Sequence, residues 1–335
     1  MRRRSLPEIW RLVQLMRFTT LGVISVLCAG AVLAADRGPA DRALQQGRID
    51  EAIALLHASL AANPNDALGH HLLCRAFYAE QLPDSAIPEC EAAVANAPAN
   101  SEYVLWLGRA YGRKAEQGGP ISGLTMAKRV RLMFERAVQL DGANVYAMSD
   151  LGEFYVDAPS FLGGGLDKAE RLAAQMQQVS SARSYRLLAL VAQKRKDYVT
   201  AEKEFTAAVE ASKTPETLID LGRFYAQREN PDQAVATLKM CIALDKTNDA
   251  SLVDAASILD EIHREPQLAV QILRRYLASP ARTDAAPAPK VHVQLGRMLA
   301  KSGDPAGARR EFQAALALAS NYKSARKAIE RLSAP

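Results

Sequence analysis

Few residues in this chain have the chemistry of a nucleophile, a base or a metal ligand, and their spacing suits none of those roles. His70, Cys74 and Cys90 offer imidazole and thiolate donors of the kind zinc takes, but no fourth ligand accompanies them. His57, His71, His263 and His292 stand apart, with no metal or catalytic spacing. The run Gly163-Gly164-Gly165-Leu166-Asp167-Lys168 has the glycines of a phosphate loop. It lacks the Gly-Lys-Ser/Thr ending, and no strand precedes it. There is no HExxH and no GxSxG elbow. The expectation is a chain that is not an enzyme and holds no metal or cofactor. What remains is a set of arginines, Arg75, Arg109, Arg223 and Arg297, with Arg113 beside them. Guanidinium forks suit carboxylates and phosphates, so binding, not catalysis, is the chemistry on offer.

Those arginines recur because they sit in a recurring phrase. It reads LCRAF at 73–77, LGRAY at 107–111, LGEFY at 151–155, LGRFY at 221–225 and LGRML at 295–299. Ala52 and Ala86 lie 34 residues apart, as do Pro64 and Pro98, Leu73 and Leu107, and Phe77 and Tyr111. Leu107 and Tyr111 form an i,i+4 pair on one helical face. Gly108 stands beside them, where a side chain would hold the partner helix away. Ala86, Cys90 and Ala93 mark the facing stripe of the second helix. The Pro64 and Pro98 segments end the second helices, since proline disfavours helix in the residue before it.

This pattern resembles the tetratricopeptide repeat family from about residue 40 to the end of the chain. The resemblance implies an all-α α-solenoid, a right-handed superhelix of about eight helical hairpins, with each unit packing on its neighbours. The units fall near 37–66, 67–100, 101–144, 145–181, 182–214, 215–248, 249–288 and 289–322. A basic, amphipathic cap at 323–332 is expected to close the open end. In such arrays the first helices line a concave groove. Carried over residue by residue, one groove position holds Arg75, Arg109, Glu153, Leu190, Arg223, Ser257 and Arg297. Arg113, Lys194, Lys301, Arg183, Arg186 and Lys290 join them. The acidic members are Glu102, Glu153, Asp157, Glu216, Asp260 and Glu261. The family's chaperone-tail clamp uses asparagine where this chain has these residues, which argues against that ligand. The resemblance therefore implies a protein or peptide partner, acidic or carboxylate-bearing, with Arg75, Arg109, Arg113, Arg223 and Arg297 as charge anchors. Tyr78 and Tyr146 would be its apolar contacts. The plainer alternative is that each arginine is solvated or paired with an acid on the next unit.

Two insertions break the period. One runs from Glu116 to Thr125, and the other holds Ala158 to Leu162 and three glycines. Both are expected as glycine-rich loops on one edge: either tolerated surface insertions with Phe161 folded back onto the core, or a second docking surface with Phe161 and Leu162 exposed. A proline- and alanine-rich run, Ser279 to Pro289, reads as an extended linker.

The net charge is +5. Arg2, Arg3, Arg4, Arg11 and Arg17 face only Glu8 in the first 34 residues, leaving 37 basic and 36 acidic residues beyond them. Bulk charge therefore gives no support to nucleic-acid binding. The basic start, the uncharged run 18–35 and Val32-Leu33-Ala34 before Ala35 fit an export signal cleaved after Ala34. The array is then expected in the periplasm. With the segment uncleaved it would be anchored in the inner membrane facing the periplasm, which is the one route to membrane contact. In that oxidising compartment Cys74 and Cys90, on opposite helices of one unit, are either joined or simply two small core residues.

Overall fold

The described residues of the computed structural model are 38–279 and 285–333. The expected export signal at 1–34 and residues 280–284 of the linker lie outside them. Seventeen α-helices and no strand occur among the described residues. They form consecutive antiparallel hairpins: α1 (Gly38–Gln45) with α2 (Ile49–Ala62), α3 (Ala67–Ala79) with α4 (Pro83–Asn96), and α5 (Ser101–Gln117) with α6 (Pro120–Leu140). Next come α7 (Val145–Asp157) with α8 (Leu166–Met176), α9 (Ser181–Lys194) with α10 (Tyr198–Ala211), and α11 (Pro215–Gln227) with α12 (Pro231–Leu244). The last are α13 (Ala250–Glu261) with α14 (Pro266–Ala278), α15 (Ala288–Lys301) with α16 (Pro305–Leu318), and the final helix α17 (Lys323–Ser333). The architecture is an α-solenoid.

Local chemistry sets the helix ends. Asp66, Asn100 and Asn144 each accept backbone N–H bonds at the starts of α3, α5 and α7, satisfying donors a helix leaves orphaned. Proline opens α4, α11, α12, α14 and α16, where its missing N–H costs nothing. Between the helices of a hairpin, small residues allow contact. A Cβ at Gly108 would lie 2.6 Å from the Phe134 ring, and one at Gly296 2.4 Å from the Phe312 ring. The repeated alanines Ala52, Ala86, Ala169, Ala201, Ala234, Ala269 and Ala308 are all fully buried or nearly so, and Val130 takes their place in the third hairpin.

The tyrosine that ends the repeated phrase does a second job. Tyr111, Tyr155 and Tyr225 donate their hydroxyls to Glu91, Glu135 and Glu202 on the second helix of the preceding hairpin. Each ring thus packs in the core while its tip ties two units together. Burial, with the nearby carboxylate, pushes the Tyr155 and Tyr225 hydroxyls up to about 12. Cys74 and Cys90 are disulfide-bonded across α3 and α4, with Cα atoms 5.2 Å apart, inside the reach a disulfide needs. Cys241 is a buried free thiol in the core.

Three expectations are corrected. The Glu116–Thr125 insertion is not a long loop. It lengthens both helices of the third hairpin, to 17 and 21 residues, leaving only Gly118 and Gly119 between them. In the other insertion Ser160–Leu162 form one 3-10 turn. It exposes Phe161 at 72% but buries Leu162 at 8%, because a turn of three residues cannot point adjacent side chains the same way. Pro289 belongs to α15 and not to the linker.

The larger correction concerns the end that α17 covers, which is not open: α17 keeps an exposed charged face over buried Ala325 and Ala328, as a cap does, but the turn before it meets the start of the array. Tyr322, at its start, is 1% exposed, and Ala325 is fully buried. The turn before α17 and its first residues meet the first two hairpins. Ser320 N donates to Asp50 Oδ2 at 2.9 Å and Asn321 N donates to Glu80 Oε1 at 2.9 Å. Gln81 Nε2 donates to Tyr322 Oη at 2.8 Å, and Ser324 Oγ donates to Gln81 Oε1 at 3.1 Å. Ala288, opening α15, sits against Gly47, whose left-handed backbone and close neighbour exclude a side chain. The apolar core follows the same closure. Buried residues of the first two hairpins share one cluster with those of the last ones, while residues from Cys74 to Val191 form another.

Candidate functional site

Inside this closure lies a cavity of about 710 Å³. Helices α3, α5 and α7 supply one wall of it. On α5 the stripe Glu102, Trp106, Arg109 and Arg113 follows the i,i+3/i+4 spacing of a single face, and all four line the cavity. From α3 come Arg75 and Tyr78, and from α7 comes Tyr146. The far wall belongs to the other end of the chain: Ala285, Pro287, Lys290 and Tyr322.

The cations here are interleaved with rings. The Arg75 and Arg109 guanidinium groups lie 5.4 and 5.1 Å from the centre of the Trp106 ring. Arg113 lies 4.8 Å from the centre of Tyr78, which meets Trp106 edge-on at 5.5 Å. Such stacking pre-orients each guanidinium fork. Arg109 Nε also donates to Asp150 Oδ2 at 2.7 Å. Arg113 donates to Glu116 and to the Tyr78 hydroxyl, and its buried Nε has no partner among the described residues. Lys290 reaches the Ala285 carbonyl, at 3.5 Å. Glu102 is the one carboxylate among the lining residues, against Arg75, Arg109, Arg113 and Lys290. An aromatic-walled cavity with this excess of cations suits a carboxylate carried on an apolar or extended segment.

The structure brings together Arg75, Tyr78, Arg109, Arg113 and Tyr146 and leaves out the other anchors. Arg223 pairs with Asp254 at 3.7 Å on the next hairpin. Arg297 lines a separate groove of about 330 Å³ beside Phe312 and Leu332. Most cations between these regions are held by acids of neighbouring units. Arg183 meets Glu216 at 2.9 Å and Lys194 meets Asp157 at 3.2 Å. Lys301 meets Asp260 at 2.7 Å. Arg186 joins Glu153 at 2.7 Å and Asp220 at 2.9 Å. Burial lifts the Asp220 carboxyl above its ordinary value, against the pull of Arg186. For these residues the plainer alternative describes the geometry. Phe161 stands well exposed on its 3-10 turn.

The sequence reading passed over Trp106 and Tyr322. Trp106 was within reach, because it lies on the same stripe as Glu102, Arg109 and Arg113. Tyr322 carried no signal, since it enters the site only through closure of the array.

Both ring nitrogens of His70 have partners within the fold. The ring is held by Glu89 Oε2 at 2.6 Å and the Pro64 carbonyl at 2.9 Å. Burial alone would lower its pKa, but these bonds and the Glu89 charge outweigh it, and the ring titrates above its ordinary value. No cluster of potential metal ligands occurs among the described residues.

Tetratricopeptide repeat models match residues 43–110 and 217–250. No curated protein matches the chain in sequence. Among solved structures, yeast Tom70 overlays 88% of the chain at 16% identity, with a TM-score of 0.52. The chain spans 63% of the length of that structure. A thermophilic TPR protein from Thermus thermophilus aligns over 66% of this chain and 98% of its own, at 20% identity and a TM-score of 0.43. A tetratricopeptide repeat protein from Parabacteroides merdae aligns over 88% of this chain and 99% of its own, at 12% identity and a TM-score of 0.43. At 16% identity the likeness to Tom70 shows the fold alone.

Proposed function

Because the chain belongs to the tetratricopeptide repeat family, whose fold is a protein-interaction scaffold, we propose that it is a non-enzymatic, exported scaffold. It holds an acidic or carboxylate-bearing segment of a partner in the cavity between its two ends. The observation that carries this reading is the clustering of Arg75, Arg109, Arg113 and Lys290 on aromatic walls, with Asp150 and Glu116 holding two of the guanidinium groups in place. Arginine with aromatic anchors is the composition of binding hot spots. The Cys74–Cys90 disulfide supports an oxidising compartment, and hence export. Among the described residues no helix is long and apolar enough to cross a membrane.

The test is a titration of the full chain with a fluorescein-labelled peptide of alternating Glu and Leu ending in a free carboxylate. Wild-type protein should bind it, and less tightly as salt rises. An Arg75→Glu/Arg113→Glu variant that stays folded should lose at least tenfold. A variant that binds as the wild type does would remove these arginines from the site. The exposed Phe161 turn would then be the leading surface, and the favoured reading would become a membrane-anchored assembly factor that docks through the glycine-rich edge of the third and fourth hairpins. Export is tested by the N-terminus of the protein recovered from a periplasmic extract, expected at Ala35.

A further inference from the structure

The cavity exists only where the ends of the array meet. Arg75, Arg109 and Arg113 come from the second and third hairpins, while Lys290 comes from the eighth. A solenoid holds its units only to their neighbours, so small rotations add along its length. Joining its first and last units therefore needs a tie of its own. That tie combines the shared apolar core and the Gly47–Ala288 contact with the bonds from Asp50, Glu80 and Gln81 to residues 320–324. Glu80 is 1% exposed, so its carboxylate is committed to the seam. Neither Asp50 nor Glu80 lines the cavity.

We propose that the cavity is a two-ended clamp, in which the acidic ligand is gripped from one side by the arginines of α3 and α5 and from the other by Lys290. The Asp50–Glu80–Gln81 latch sets the fraction of molecules whose ends are together. This rests on the reading of the cavity as a site for an acidic segment. Its consequence is linkage. A ligand that touches both ends binds the closed form only, so its apparent Kd is the intrinsic Kd divided by the closed fraction. Ligand binding in turn draws the ends together. Opening nine molecules in ten would weaken apparent binding about tenfold.

The experiment uses the full chain with Cys28→Ser, labelled with a donor–acceptor dye pair at Ala58→Cys on α2 and Glu330→Cys on α17. The native disulfide and buried Cys241 leave these as the reactive thiols of the array. An Asp50→Ala/Glu80→Ala variant is compared with Asp50→Asn/Glu80→Gln, which keeps oxygen acceptors for both N–H groups. Energy transfer and binding of the Glu-Leu peptide are read together. We expect the alanine pair to lower transfer and weaken binding about tenfold or more, the amide pair to keep both, and added peptide to restore transfer in the alanine pair. If transfer falls while the peptide binds as before, the clamp is overturned and the binding cavity stands. Transfer that does not change overturns the latch. If the wild type takes up no peptide, the cavity reading fails and the clamp with it, while transfer still reports on the latch.

Discussion

Changing Asp150 to Asn should tighten binding of an acidic peptide even though it removes an ion pair. Asp150 Oδ2 lies 2.7 Å from Arg109 Nε, and its other oxygen lies 3.4 Å from Nη2. A ligand carboxylate on the same guanidinium would sit roughly 6 Å from that of Asp150. At that separation two like charges repel by about 0.7 kcal/mol in bulk water and about 3 kcal/mol at the effective dielectric of a protein surface. An intermediate value of about 1–2 kcal/mol corresponds to five- to thirtyfold in affinity. Both side chains are about a quarter exposed, so the lost bond should lower stability by only about 1 kcal/mol. Arg109→Met should act the other way, weakening binding by about tenfold through loss of the cation and its stacking on Trp106. The assay is fluorescence anisotropy of the labelled Glu-Leu peptide at low and high salt, with thermal melts of each variant. If Asp150→Asn binds no tighter than wild type at low salt, Arg109 does not contact the ligand's charge and the argument fails.

Gly108→Val should lower stability by about 1–3 kcal/mol through overpacking against Phe134, read as a fall in melting temperature, whereas the same change at Gly142, which has no neighbour within 4 Å, should do far less. The His70–Glu89 pair should stabilise the fold fully below the ordinary histidine pKa of 6.5 and lose that contribution as pH rises through the raised folded value. The melting difference between wild type and His70→Gln should therefore be larger at pH 6 than at pH 8.5, and a difference independent of pH would refute the pairing. Cys90→Ala opens a link between residues 16 apart, which should cost about 3 kcal/mol. Non-reducing peptide mapping of protein from an oxidising compartment should find Cys74 and Cys90 joined, and two free thiols there would refute it.

Much of the fold was legible in the sequence because a repeat states its packing locally. Leu107, Gly108 and Tyr111 already imply a helix whose small position admits a partner, and Phe134 fills that space. The second job of Tyr111, bonding Glu91, was less visible, because the glutamates lie on the preceding unit at offsets of 20 to 23 residues. The site was half legible. Arg75, Tyr78, Arg109, Arg113 and Tyr146 share groove positions and do converge, but Arg223 occupies the same repeat position as Arg109 and lies outside the cavity. The repeat position says which way a side chain points. It does not say which acid the next unit brings, nor where the ends of the array go.

By itself, then, the sequence determined the helical hairpins, their register and the inward direction of the arginines, because these depend on periodicities within about one repeat. The tertiary structure alone decided that the array closes. Asp50, Glu80 and Gln81 meet residues 320–324 across 241 to 270 residues of chain. No periodic signal spans that distance, and small rotations summed over eight hairpins set whether the ends meet. From that closure come the cavity, the placing of Lys290 opposite the arginines, and the seating of Tyr322 and the start of the terminal helix against the first two hairpins.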